Sequence, residues 1–234
     1  MKNFYFMISL IAGLSFTSCD NEDKMVYSCD QAKNDWVHEN LDEIRSMTRA
    51  QWNLVNEGLK KPVYAAFTPE QRVSFWMEKL YQSLLLDWND EERTHIQTLI
   101  LCLEEKPQFL KGYNKLTDEE KDEMDSFSYL WIEKAQNELG WSKATIAGLV
   151  LSGNQMLDKS GTLQTVSSTK TRATRSEGNN NNQKSSCGCA LDDDYCGYFA
   201  PAPFDECMKA DCKVVEEDCG WLWQKDCDGE CGGV

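Results

Sequence analysis

The cysteines of this chain are concentrated at its C-terminal end, and this distribution constrains the fold more than any other feature. Eight of the eleven cysteines lie in the last 48 residues, with the spacing C-x-C-x6-C-x10-C-x4-C-x6-C-x7-C-x3-C. A segment this short, with few aliphatic side chains, cannot be held together by core burial alone. The pattern predicts a small module over 187–234, held by disulfides formed in an oxidising compartment. The cysteines concerned are Cys187, Cys189, Cys196, Cys207, Cys212, Cys219, Cys227 and Cys231.

The N-terminus has the features of an export signal. Lys2 precedes an apolar run from Phe4 to Phe16, which has the length of a signal-peptide core and is short for a membrane-spanning helix. The run ends in Phe16-Thr17-Ser18-Cys19, which resembles the lipobox of bacterial lipoproteins. We therefore expect a signal peptide over 1–18 and lipidation of Cys19.

The residues after Cys19 bear on localisation. The acidic stretch that begins at Asp20 resembles the surface-export signal of some Gram-negative bacteria, whereas in others an aspartate at this place indicates retention at the inner membrane. We expect a lipidated tether over 19–29 that holds the protein at the outer membrane, on the cell surface. A soluble secreted protein is the alternative.

Residues 30–157 are predicted to form an all-helical domain, because their apolar residues recur at the spacing of a helix. Helix starts are marked by Thr or Asn with Gln or Glu three residues later, which is the capping-box pattern. We expect Pro62 to end one helix, and the aromatic and aliphatic stripes to form a core that is complete without the tail. The capping pairs are Thr48/Gln51, Thr68/Gln71, Asn89/Glu92 and Thr117/Glu120.

Residues 158–186 differ in composition and are predicted to be a disordered linker. They contain only two large aliphatic residues and a run of four asparagines, so they cannot offset the entropy of ordering. They are also basic, with Lys170, Arg172, Arg175 and Lys184 in an otherwise acidic chain. The segment is either a plain tether or a site of proteolytic release of the tail.

The sequence does not predict an enzyme. It has two histidines, and the one candidate nucleophile and base pair is Cys102 with His95, seven residues before it. No third group that would orient the pair is visible, and metalloprotease, serine-hydrolase and phosphate-loop motifs are missing from the sequence. We predict no cofactor. The net charge of -15 argues against nucleic acid as a partner.

Two further cysteines remain after lipidation of Cys19 and pairing within the tail. We predict that Cys29 and Cys102 form a disulfide that pins the tether to the helical domain. A metal site at the C-x-C sequence is not expected, because an oxidising compartment would convert its thiolates to disulfides.

Aromatic side chains are frequent in the predicted tail module. In so small a module some of them must reach the surface, where they would contact a partner or a membrane interface; the alternative is that they pack over the disulfides. The candidate contact residues are Tyr195, Tyr198, Phe199, Trp221 and Trp223.

The tail resembles fulvocin C, a small cysteine-rich bacteriocin. The resemblance lies in Cys187-Gly188-Cys189 with Asp194-Tyr195-Cys196, and in Cys219-Gly220-Trp221 with Cys227-Asp228-Gly229. Phe67-Thr68-Pro69-Glu70 and the sequence from Phe75 to Leu80 are similar to the longer fulvocin C-related proteins. The resemblance implies a helical, exported carrier with a disulfide-rich C-terminal peptide as antibacterial effector.

The charge of the tail modifies what this resemblance implies. Residues 187–234 hold twelve acidic and three basic groups, and this net negative charge opposes binding to anionic lipid. A protein on the surface of a target cell fits the charge better. Two hypotheses therefore remain, a bacteriocin-like effector and a non-enzymatic surface protein that binds another protein or a glycan.

Overall fold

The computed structural model describes residues 25–165, 188–199, 206–209 and 213–232. As predicted, the fold is mainly α: a helical region (25–165) is followed by a cysteine-rich tail (188–232) with short strands and disulfides. The predicted signal peptide, the lipidation site Cys19 and linker residues 166–186 lie outside the described residues.

The elements alternate between long helices and short connecting turns. In the helical region they are α1 (Gln31–Glu39), α2 (Leu41–Ile44), α3 (Arg49–Trp52), α4 (Glu57–Ala65), α5 (Pro69–Ser83), α6 (Asp90–Glu105), α7 (Asp118–Asn137) and α8 (Lys143–Ile146). A π-helical turn, Ala147–Leu151, continues α8. The tail contains α9 (Cys196–Phe199), β1 (Glu206–Lys209), β2 (Val215–Cys219), β3 (Lys225–Cys227) and β4 (Gly229–Gly232).

All four predicted capping boxes are present. Helices α3, α5, α6 and α7 each begin with a Thr or Asn side chain that accepts from the backbone N–H three residues on. The Gln or Glu at that position accepts in return from the backbone N–H of the capping residue. Two otherwise unpaired donors are thereby satisfied at each helix start.

The predicted helix end at Pro62 is wrong. Asn56 caps a new helix, and α4 runs from Glu57 through Pro62 to Ala65. An internal proline has no N–H to donate to the carbonyl four residues earlier, here that of Gly58, and its ring crowds that carbonyl, yet the helix continues past Pro62. Burial of Val63 and Tyr64 in the core offsets this cost.

The first part of the predicted disordered linker is ordered. Residues 155–164 form a tight hairpin in which Leu157 N donates to the Thr162 carbonyl (2.8 Å) and Gln164 N to the Gln155 carbonyl (2.8 Å). The Asp158 carboxylate accepts from Ser160 and Thr162, which fixes the turn and holds the Asp158 pKa at about 2. Local hydrogen bonds therefore order this turn, although the segment has few of the large apolar residues whose scarcity led to the prediction of disorder.

Two antiparallel strand pairs and three disulfides organise the tail. Strand β1 pairs with β4, and β2 pairs with β3. The disulfides join Cys189 to Cys207, Cys196 to Cys231, and Cys219 to Cys227. The described tail cysteines therefore pair among themselves, as predicted.

The helical region and the tail share one hydrophobic core. Trp223 of the tail lies among aromatic rings of α3, α4 and α5, with ring centroids 4.9 Å from Tyr64, 5.6 Å from Trp76 and 6.2 Å from Trp52. A Cβ on Gly153 would lie within 3 Å of Trp52, Phe75 and Trp223, so only glycine fits at this position. The expectation that the helical core is complete without the tail is therefore wrong.

Polar contacts reinforce this interface. Buried Arg72 of α5 pairs with Glu217 of β2, and Lys115 reaches the same carboxylate at 2.8 Å. The Trp223 indole N–H donates to the Leu151 carbonyl (2.9 Å). Gly112 has φ +107 and lies against the Glu217 carboxylate, where a Cβ would collide with it. The tail is therefore joined to the helices by apolar, ionic and hydrogen-bonded contacts together.

Buried cations position the segment that receives Trp223. The Lys79 ammonium donates to the carbonyls of Gly148, Leu149 and Ser152, and Arg49 Nη1 donates to Gly153 O (2.8 Å). These carbonyls belong to the end of the π-helical turn, which attracts positive charge. Burial lowers the pKa of Lys79 well below its usual value and that of Arg49 to about 10.

Candidate binding groove

A groove of about 560 Å³ lies between α7 and the tail. One wall is the exposed face of α7, and the other wall is formed by tail residues 192–195 and 198. Lys225 of β3 also lines the groove. Because both walls are needed, the groove exists only when tail and helices are packed together. We refer to it as the α7–tail groove.

Helix periodicity builds the first wall. Asp125, Tyr129, Ile132 and Gln136 recur at spacings of three and four along α7 and so share one face. Tyr129 is 66% exposed, and Glu133 lies beside it on the same wall. Their neighbours Trp131 and Ala135 point the other way, into the core.

Hydrogen bonds fix the tail wall. The Asp193 carboxylate accepts from the Trp221 backbone N–H (2.9 Å) and from the Tyr195 hydroxyl. Burial raises the pKa of Asp193 and that of Tyr195. Tyr195 and Tyr198 meet edge to face at 5.3 Å. Gln136 Nε2 of α7 donates to the Tyr198 hydroxyl (2.8 Å), so a hydrogen bond spans from one wall to the other.

The single ammonium among the lining residues is already engaged. Lys225 Nζ lies 3.2 Å from Asp125 Oδ1 and 4.0 Å from the centre of the Tyr113 ring. The Tyr113 hydroxyl donates to the other oxygen of Asp125 (2.6 Å), and burial raises the pKa of Tyr113. Lys225 therefore neutralises Asp125, and its charge also acts on the Asp193 carboxylate.

The groove is strongly acidic. Its lining carries five carboxylates, those of Asp125, Glu133, Asp192, Asp193 and Asp194, against Lys225 alone. The Asp194 carboxylate is used inside the tail, where it accepts from the N–H groups of Cys196 and Cys207. Within the described part of the chain, the side-chain carboxylates of Glu133 and Asp192 have no hydrogen-bond or ion-pair partner, and they lie on opposite walls.

The structure gives different outcomes for the five aromatic residues predicted to contact a partner. Tyr195 and Tyr198 do line the groove. The prediction is wrong for Trp221 and Trp223, which are 2% and 6% exposed because they fill the core against Trp131 and the α3–α5 aromatics. The side chain of Phe199 lies outside the described residues.

The predicted disulfide between Cys29 and Cys102 is not formed, and both residues are free thiols. Cys29 lies against the tail, where its Sγ donates to the Lys213 carbonyl (3.0 Å), whereas Cys102 is half-buried in α6. Counting cysteines cannot show on which side of a fold each one lies. Cys187 and Cys212, also predicted to be disulfide-bonded, lie outside the described residues.

A compact sulfur cluster exists at Cys189, Cys196 and Cys231, whose Sγ atoms lie within 4.8 Å of one another. These atoms belong to two neighbouring disulfides, and a disulfide sulfur is not the thiolate ligand that zinc or copper requires. The cluster is therefore a pair of neighbouring disulfide crosslinks.

The structure does not bring His95 and Cys102 together. The His95 ring stacks on Trp131 at 4.5 Å, and its Nε2 lies 3.0 Å from the Trp131 carbonyl. Seven residues along α6 correspond to about 10 Å, which is too far for a proton transfer between the two side chains. Burial lowers the His95 pKa and raises that of Cys102, which opposes an ionised pair.

Sequence reasoning missed Tyr129, Glu133 and Asp192. Leu130, an aliphatic residue of α7, is 60% exposed. The available signal was the polar face at positions 125, 129, 133 and 136, which could be read from the helical spacing. The opposite wall could not, because it comes from a part of the tail with no periodic pattern.

No protein-family model, curated protein or solved structure matches this chain. Within the described residues, none of the helices combines the length and the hydropathy that crossing a bilayer requires.

Proposed function

We propose that the protein is a non-enzymatic binding protein, exported and lipid-anchored through Cys19 at the outer surface of a bacterial cell, whose ligand occupies the α7–tail groove. The observation that carries this proposal is the shared core. Trp223 is buried among helical aromatics, and the groove is built jointly by helices and tail. A tail that completes both the core and the binding site acts as part of the whole protein.

The hypothesis of a released bacteriocin-like effector is the second candidate. The cysteine pattern of the tail and its resemblance to fulvocin C favour it. Release would, however, expose Trp221, Leu222 and Trp223, which are all at most 6% exposed in the intact protein. It would also break the buried pair between Arg72 and Glu217. The cost of these losses favours the intact binding protein.

The decisive experiment separates the two hypotheses by cutting the chain. A protease site is introduced between residues 166 and 186, the oxidised protein is cut there, and the product is analysed by size-exclusion chromatography without denaturant. We expect both fragments to elute together, with an unchanged circular dichroism melt. Spontaneous elution of a free tail that harms related bacteria, while the remaining helical region stays folded, would overturn the proposal.

The lipid anchor has its own test. The Cys19→Ala variant should lose acylation and be found either as an uncleaved form that keeps the apolar run from Phe4 to Phe16 or as a soluble form. A processed variant that still partitions into the detergent phase like the wild type would contradict lipidation at this residue. Protease treatment of intact cells then reports the side of the membrane: we expect the wild-type protein to be digested from outside. A protected protein would indicate retention at the inner membrane.

A further inference from the structure

Resting on the proposed binding function, we propose that the α7–tail groove binds a cationic peptide segment, with arginine or lysine side chains extending between its two walls. The juxtaposition that assigns this ligand is one of unpaired carboxylates on opposite walls, Glu133 and Asp192, in a groove that three tyrosines also line. A volume of about 560 Å³ accommodates a few residues of an extended peptide.

The charges of the groove are arranged for a cation. Five carboxylates face one ammonium, and that ammonium is held by Asp125 and the Tyr113 ring. The net charge of the lining is therefore negative even before the rest of this acidic chain is counted. A concave site of one sign concentrates ligands of the opposite sign and speeds their association.

Helix α7 adds a second electrostatic contribution. Gln136 and Asn137, in its last turn, line the groove, so the carbonyl end of a 20-residue helix lies at the site. The macrodipole of a helix places partial negative charge at this end, where cations are favoured. Lys134, the basic residue in this turn, lies near Glu138. This contribution is independent of the side-chain carboxylates.

The tyrosines favour cations over sugars. Tyr195 and Tyr198 meet edge to face, so they do not offer the single flat platform on which a sugar ring would stack. Their hydroxyls are already bonded to Asp193 and Gln136. The exposed face of Tyr129 remains, and a guanidinium or ammonium near Glu133 can lie over it in a cation–π contact.

The experiment measures the fluorescence anisotropy of labelled hexa-arginine and hexa-lysine peptides with the oxidised full-length protein, and uses hexa-citrulline as the uncharged control. We expect both cationic peptides to bind and hexa-citrulline not to bind. Affinity should fall on going from low to high salt. Absence of binding by both cationic peptides at low salt would refute the proposal.

Matched variants locate the binding. Glu133→Gln with Asp192→Asn should weaken hexa-arginine binding roughly tenfold, because two unpaired carboxylates are removed from the groove. Glu91→Gln with Glu119→Gln removes the same charge from exposed positions at the starts of α6 and α7, and should change affinity less than about twofold. Equal weakening by both pairs would mean that the overall charge, and not the groove, attracts the peptide.

A third pair of variants tests the aromatic contact. Tyr129→Leu should weaken binding, whereas Tyr129→Phe should retain it, since the cation lies over the ring face and not at the hydroxyl. The same variants are screened against a panel of neutral oligosaccharides. Sugar binding that is lost in the groove variants, without binding of the cationic peptides, would overturn the ligand class while leaving the proposed binding function intact.

Discussion

The helical region and the tail are built by different means, yet neither is complete alone. Helices α3, α5, α6 and α7 begin at local capping boxes, and their apolar faces follow helical spacing. The tail has short strands and disulfides that close segments of 8, 18 and 35 residues. The disulfides shape the tail, but burial of its tryptophans joins it to the helices. A covalently stapled segment can thus be an integral part of a larger core.

The largest expected effect comes from removing the tail. A chain ending at residue 165 should lose cooperative unfolding, because Tyr64 and Trp76 lose the ring that covers them. Thermal unfolding followed by circular dichroism, with binding of a hydrophobic dye, measures this. The full-length protein cut between 166 and 186 is the control. If the shortened chain melts cooperatively within about 5 °C of the control, the shared core is not required.

A single substitution should have a smaller but still large effect. Trp223→Ala should lower the free energy of unfolding by about 3–5 kcal/mol, since a large cavity forms between α3, α4 and α5. Urea unfolding of the oxidised protein measures the difference. Tyr129→Ala, at an exposed aromatic of α7, is the matched control and should change stability by less than about 0.5 kcal/mol. Similar losses in both would contradict the packing described for Trp223.

The interface also contains a buried acid whose ionisation should be measurable. Asp218 is 5% exposed, its Oδ1 has no hydrogen-bond partner, and burial raises its pKa to about 6. Lys61 and Arg72 face it and partly offset this rise. Because the folded state holds this proton more tightly than the unfolded chain does, unfolding free energy should fall as pH rises from about 4 to about 7.

The test compares wild type with Asp218→Asn across that pH range. At pH 7 the variant should be more stable by up to about 3 kcal/mol, and near pH 4 the two proteins should be nearly equal. Urea unfolding at each pH gives the difference directly. A difference that does not change with pH would mean that Asp218 titrates normally in the folded protein.

The smallest predicted effect is local to a helix start. Thr117→Ala removes the cap of α7 and should lower the free energy of unfolding by about 1 kcal/mol. Thr98→Ala, on the exposed side of α6, is the matched control and should be neutral or slightly stabilising. If the two alanine variants were equally stable, the capping box would contribute nothing to the fold.

Sequence alone predicted most of the helical region and little of the groove. Caps and helical spacing are local, so the starts at Thr68 and Asn89 could be read directly. The position of Trp223 depends on a contact between distant parts of the chain, and nothing near it in sequence distinguishes a surface aromatic from a buried one. The α7 wall was readable from its polar face. The opposite wall required the disulfide connectivity, which spacing does not determine.

The buried contact between Gln224 and Tyr64 has a consequence for how the chain folds. Gln224 Nε2 donates to the Tyr64 hydroxyl across 160 residues of sequence, close to the C-terminal end of the chain. Closing so long a loop is slow, and its entropy must be lost before the contact is gained. Until residues 221–224 have been synthesised, part of the aromatic surface of the earlier helices therefore stays uncovered. Folding of the helical core is therefore coupled to the docking of Trp223 and Gln224.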